Sequence, residues 1–236
     1  MNIKERLRMR LERRHSPSVS LDAQSQHDSR MKKNAIIDCG WGRLLFAQTF
    51  ADPAQLVASL CDEETNRRDI VLYVLDPHVA VSLAPQEVFL DPSHTFRLWL
   101  DRYRSAHLRA RGFTIRLMNS RKDAEAVHNL YIRRHMVPPD TEFLLAHRAS
   151  RMLTYLVAED NENGQILGTV MGVDHKSAFS DPERGTSLWA LAVDSQASVP
   201  GIGQALVRHL AEHYHARGRA YMDLSVMHDN TQAIRP

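Results

Sequence analysis

Residues 187–204, SLWALAVDSQASVPGIGQ, constrain the fold of this chain more than any other stretch. An apolar run, Leu188, Trp189, Ala190, Leu191, Ala192 and Val193, ends at Asp194, passes through a polar turn and reaches Gly201-Ile202-Gly203 just before a helical pattern. A buried strand that feeds a glycine-containing turn and a helix start presents unpaired backbone N–H groups, and the positive end of the helix dipole, to an anion. Glycine at 201 and 203 lets main chain approach a pyrophosphate closely, since no Cβ intervenes. The stretch therefore predicts a phosphate cradle, although Pro200 has no N–H and removes one donor. Two nucleotide motifs are excluded. Leu206 stands where the dinucleotide fingerprint needs its third glycine, and Gln204-Ala205 stand where a P-loop needs Lys-Ser/Thr.

At 236 residues, 43% hydrophobic and 25% charged, the chain has ordinary globular composition and room for one sizeable domain or two small ones. Cys39 and Cys61 form no CxxC pair and no secretory apolar segment precedes them, which predicts a reducing, cytoplasmic setting. No run reaches transmembrane length, so no membrane partner is expected. The net charge of +2 is unevenly spread: residues 1–33 carry nine Lys/Arg against four Asp/Glu, and the remainder 21 against 24. A mildly acidic body offers no electrostatic footprint for nucleic acid.

Taken in order, residues 1–33 read as a basic, disordered leader, because SPSVSLDAQSQHDS is too poor in apolar residues to pack. Residues 34–110 alternate between GRLLFAQTF as a strand, PAQLVASLCDEE as a helix, DIVLYVL as a strand and APQEVFLDPSHTFRLWLDRYR as extended or mixed segments. They predict a small α/β unit with no catalytic motif. From Phe113 the pattern continues with a strand, FTIRL, a helix over 120–131 and a second helix over 140–150 behind an Asp/Thr cap. A hairpin follows, with strands 153–159 and 165–174 around Asp160-Asn161-Glu162-Asn163-Gly164. A polar loop, HKSAFSDPERGT, leads back to the central strand. After the cradle, Val207, Leu210, Ala211 and Tyr214 form a helical stripe, Gly218 stops it, and Met222, Leu224 and Val226 alternate as a strand.

Leu191-Ala192-Val193 and the loop Ser198-Val199-Pro200-Gly201-Ile202-Gly203 resemble the acetyl-CoA signature of the GNAT acetyltransferases. In that family L-x-V closes the fourth strand and Arg/Gln-x-x-Gly-x-Gly/Ala opens the next helix; Ser198 replaces the usual Arg or Gln. The order of elements from Phe113 is the GNAT order too, so the resemblance covers residues 113–236. It implies an α/β fold with a mixed, mostly antiparallel sheet and flanking helices, and acetyl-CoA as co-substrate. It places the thioester carbonyl on main chain at Leu191, Ala192 and Val193, and the pyrophosphate on main chain at Val199, Gly201, Ile202, Gly203, Gln204 and Ala205. Asn230 opens the family's Asn-x-x-Ala, after which a tyrosine and a closing strand are expected; the chain reaches Pro236 first and reads as an incomplete copy.

Four segments, GWGRLLFAQTF, APQEVFLDPSHTFRL, GVDHKSAFSDPERGTSLW and RAYMDLSVMHDN, resemble the amino-terminal half of the bifunctional N-acetylglutaminylglutamine synthetases. Those proteins join a GNAT domain to a carboxy-terminal ATP-grasp ligase and make a dipeptide osmoprotectant in bacteria. The resemblance implies acetyl transfer to the α-amine of glutamine, a small amino acid; the competing expectation is an inactive acyl-CoA-binding remnant of that enzyme.

Acetyl transfer needs a neutral amine, a donor for the developing oxyanion and a proton for the leaving thiolate. No carboxylate lies within 188–193. The nearest candidates for a base are Asp174, His175 and Asp223, with Asp181, Glu183 and His228 beside them, and Arg184 is a candidate for holding a substrate carboxylate. One rival motif, His209-Leu-Ala-Glu212-His213, satisfies the H-x-x-E-H pattern of zinc peptidases. Helical spacing puts these three side chains opposite the apolar stripe, on the solvent face, so no metal is expected.

Overall fold

The computed structural model describes residues 31–91, 93–105 and 112–234. The expected leader, apart from its last three residues, lies outside them, as does most of the basic link before Phe113.

The chain first builds a three-stranded sheet. β1 (Ile36–Asp38) pairs antiparallel with β2 (Arg43–Phe46), and β2 pairs parallel with β3 (Ile70–Leu72). Helix α1 (Pro53–Cys61) makes the crossover that a parallel pair requires. Asp52 caps α1 by accepting from Ala54 N–H, and Pro53 sits in its first turn, where no N–H is needed. Short helix α2 (Pro77–Leu83) follows. β1 was not foreseen, and GRLLFAQTF is a strand only over its Arg43–Phe46 portion before a 3-10 turn.

The six-stranded sheet has the order β4-β9-β8-β7-β6-β5. Its members are β4 (Ser93–Trp99), β5 (Phe113–Leu117), β6 (Leu153–Asp160), β7 (Ile166–Asp174), β8 (Gly185–Val193) and β9 (Tyr221–Met227). All pairs are antiparallel except β8 with β9. β4 departs from the expected unit over 34–110: it closes the edge beyond β9, with Ser93 opposite Met227 and Trp99 opposite Tyr221. Its Phe96 and Leu98 alternate with Thr95 and Arg97 as a strand should, yet its partner lies more than 120 residues away.

Helices cover both faces, which is why every residue of β7 is buried. On one face lies α6 (Ile202–Ala216), packing Ile202, Leu206, Leu210, Ala211 and Tyr214 against Leu156, Val170 and Leu188. It can approach because Gly168 and Gly172 of β7 leave the space that Leu206 and Tyr214 fill. The buried stripe starts at Ile202 and continues at Leu206; Val207, expected in the stripe, is only partly covered. On the other face lies α3 (Arg121–Arg133), which buries Ala124, Val127, Leu130 and Tyr131 behind a capping box of Ser120 and Asp123. α4 (Thr141–His147) starts at the predicted cap, Asp140.

The segment expected to be a polar loop is partly ordered structure. His175–Phe179 form a one-turn helix, α5, with His175, Ala178 and Phe179 buried, and β8 begins at Gly185 rather than Leu188. Phe46 of β2 packs on Phe179 and His175, joining the small sheet to this turn. A last turn, α7 (Thr231–Ile234), follows β9.

Candidate functional site

β8 and β9 pair only from Gly185 with Tyr221 to Leu188 with Leu224, and then part. From Trp189 onward the β9-facing edge of β8 has no strand partner among the described residues, and Trp189, Ala190 and Leu191 become partly exposed. On its other edge β8 carries a bulge. Trp189 faces Met171 and Ala192 faces Thr169, so Ala190 and Leu191 together oppose Val170. Ala190 sits at φ +49°, a region an L-residue with a Cβ adopts at a cost. The buried hydroxyl of Tyr131 donates to the Ala190 carbonyl at 2.9 Å and holds the bulge.

The strand ends in a braced turn. Asp194 N–H donates to Leu167 O, its Oδ1 accepts from Gln196 N–H, and Arg133 pairs with its Oδ2 at 2.9 Å. Gly201 then caps α6 at φ +83° with no side-chain cap and no acidic residue in the first turn. The first N–H groups of any α-helix have no partner within it. Those of Ile202, Gly203 and Gln204 belong to that set, whereas Ala205 N–H is bound to Gly201 O at 2.9 Å. A Cβ at Gly201 would meet nothing within 4 Å, and one at Gly203 only Val193 Cγ2 at 3.6 Å. The protein itself does not demand glycine at 203, inside a helix where glycine is unfavourable. A ligand approaching main chain gives it a reason, so the residues present fit a pyrophosphate.

On the far side of the bulge is a cavity of about 180 Å³, lined by Trp41, Arg68, Ile70, Met136, Val137, Trp189 and Ala190. It brings the small sheet against the bulge. The Trp189 indole N–H donates to Ser187 Oγ at 2.8 Å, and His175 Nε2 lies 2.9 Å from the same oxygen, so the Trp189 wall is fixed from behind.

The three side chains proposed as bases lie elsewhere. Asp174 is fully buried and accepts from Arg219 Nε and Nη2 and from Ser177 N–H, with Arg217 Nη2 at 3.2 Å. His175 is fully buried, and desolvation pushes its pKa down to about 3, so it is neutral. Asp223 is gripped by Arg97 through two 2.8 Å bonds and by the Tyr73 hydroxyl at 2.8 Å. Asp174 and Asp223 are thus held in ion pairs, while His175 Nδ1 is buried without a hydrogen-bond partner among the described residues, 3.9 Å from Asp181 Oδ2. Asp181 accepts from the N–H groups of Glu183 and Gly185, and Asn230 Oδ1 from Ala233 N–H. Of the rival motif, Glu212 accepts from the hydroxyls of Tyr103 and Ser105, and His209 Nδ1 lies 3.3 Å from Ala205 O. No group of three or more potential metal ligands occurs among the described residues.

Sequence reasoning missed Trp41, Arg68 and Tyr131. The first two come from the segment in which no motif was visible, and only Trp41, a large aromatic between two glycines, carried a signal of its own.

An X-ray structure of a Drosophila protein aligns over 84% of this chain and 66% of its own, at 13% identity and a TM-score of 0.53. That coverage exceeds what residues from 106 onward can supply, so the shared fold extends into the earlier segment. A GCN5-related N-acetyltransferase from Sphaerobacter thermophilus aligns over 65% of this chain and 49% of its own, at 22% identity and a TM-score of 0.47. A GNAT family acetyltransferase from Brucella melitensis, in complex with acetyl-CoA, aligns over 52% and 81% respectively, at 20% identity and 0.39. No curated protein matches the chain. Residues 106–235, more than half of the chain, match the Acetyltransferase (GNAT) family. The chain belongs to the GNAT family and is an acetyl-CoA-dependent acetyltransferase.

Proposed function

We propose that the enzyme acetylates the α-amine of a small amino acid, glutamine being the substrate suggested by the four segments resembling N-acetylglutaminylglutamine synthetases. In that setting the product feeds an osmoprotectant dipeptide, completed by an ATP-grasp ligase. The observation that carries the co-substrate assignment is the parting of β8 from β9 directly before a helix whose first turn holds a glycine that packing does not require.

Acetyl-CoA supplies the acyl group as a thioester. N–H groups of Ile202, Gly203 and Gln204 receive the pyrophosphate, and main chain of Leu191, Ala192 and Val193 on the open, β9-facing edge of β8 receives the carbonyl oxygen as charge develops there. The neutral acceptor amine attacks the carbonyl carbon directly while both substrates are bound; the C–S bond breaks, the amine proton leaves to solvent, and coenzyme A departs as a thiolate that takes a proton from solvent. Ala205 is withdrawn from the set of donors because its N–H is already bonded.

Calorimetric titration with acetyl-CoA tests the cradle. Saturable binding is expected in wild type and its loss in Gly201→Asp and Gly203→Asp; a folded wild type that binds nothing refutes the site assignment. Turnover with glutamine, followed by thiol release, tests the acceptor.

A further inference from the structure

We propose that the cavity between the small sheet and the β8 bulge is the acceptor subsite, and that Arg68 makes it selective for amines bearing a carboxylate. The inference rests on the reading that the acetyl group lies at Leu191–Val193. An attacking amine must come within about 3.5 Å of the acyl carbon. The cavity is lined by Trp189 and Ala190, the two residues that directly precede that stretch of strand, so it is the recess from which an acceptor reaches the bulge.

Its chemistry is lopsided. Trp41, Ile70, Met136, Val137, Trp189 and Ala190 supply apolar walls, and the two indole rings lie 6.2 Å apart between centroids, tilted at 37°. Among the described residues Arg68 is the one charged residue of the lining, and its side chain is half exposed. Its present contacts are loose: Asp91 Oδ2 at 3.6 Å and the Phe89 ring at 5.4 Å. An exposed pair at that distance is readily exchanged for a bidentate carboxylate, the partner that guanidinium geometry matches best. The Trp41 indole N–H is buried with no hydrogen-bond partner among the described residues, although buried donors are nearly always satisfied. Together these features fit a small acceptor with an apolar stem and an anionic end, a free amino acid rather than a polycation.

Wild type, Arg68→Gln, Arg68→Lys and Trp41→Phe should be titrated with acetyl-CoA and assayed with L-glutamine, L-leucine and L-phenylalanine, each beside its carboxamide. Acetyl-CoA affinity is expected to be equal in all four proteins. Wild type should prefer the free acid in kcat/KM, and Arg68→Gln should lose that preference by about 10- to 100-fold, with partial recovery in Arg68→Lys. A wild type that uses acid and amide equally, or a preference that survives Arg68→Gln, overturns the proposal. So does acetyl-CoA binding without turnover of any acid in the set. Absence of acetyl-CoA binding instead refutes the co-substrate site, and the acceptor subsite falls with it.

Discussion

Ala190 holds a backbone conformation that costs an L-residue roughly 1 kcal/mol, and the Tyr131 hydroxyl is the group that fastens it. Tyr131→Phe leaves that carbonyl without its partner, so a stability loss of about 1–2 kcal/mol is expected in thermal or urea melts. Because the bulge borders the proposed acyl position, kcat/KM should fall further than acetyl-CoA affinity does. His175 makes a different prediction. Its folded pKa, about 3, lies below the ordinary value of 6.5, because burial disfavours the charged ring. The unfolded chain therefore binds an extra proton between those values. The stability contributed by neutral His175 is complete above pH 6.5 and is lost as pH falls toward 3, at up to about 1.4 kcal/mol per pH unit. In His175→Asn the pH dependence of urea midpoints over that window should be shallower by one proton; an unchanged slope rules out the buried neutral ring.

Among the elements, α6 separates a structural glycine from a functional one. If Gly203 were there only for the helix, Gly203→Ala would stabilise it by up to about 1 kcal/mol with no other effect, since its Cβ meets only Val193 at ordinary contact distance. The expected outcome is that gain in melting experiments together with weaker acetyl-CoA binding by calorimetry. β4 makes the opposite kind of demand. Arg97 reaches from β4 to the nearly buried Asp223 of β9 and lies 3.6 Å from the centroid of the Tyr221 ring. Arg97→Met leaves a buried carboxylate with only the Tyr73 hydroxyl, which should cost about 3 kcal/mol in chemical denaturation. Arg97→Met with Asp223→Leu should recover much of the loss; a double variant as unstable as the single one places the cost in packing rather than charge.

For the whole molecule, the residues before 106 are part of the working fold. They supply the β4 edge, the buried Leu100 of the core, and the Trp41, Arg68 and Ile70 walls of the cavity. A chain beginning at residue 106 leaves β9 as an open edge and uncovers apolar surface. It should aggregate or unfold in size-exclusion and circular dichroism measurements under conditions where a chain beginning at residue 31 is monodisperse; equal behaviour refutes the dependence. No helix among the described residues is long and apolar enough to cross a membrane.

Sequence alone determined the run of strands and long helices from Phe113 through the hairpin to α6, together with the glycine turn and the helix cap at Asp140. Those features rest on hydrophobic period, turn chemistry and capping, which act over a few residues and leave their mark in neighbouring positions. Tertiary structure alone decided that β4 belongs to the large sheet, that the supposed loop at 175–179 is a buried turn, and that Trp41 and Arg68 stand beside Ala190. It also turned the acidic candidates for a base into structural partners, since Asp174 and Asp223 are each engaged by arginines 45 and 126 residues away in sequence. Strand pairing and side-chain convergence join segments remote in sequence, and no local pattern records which distant segment will be the partner.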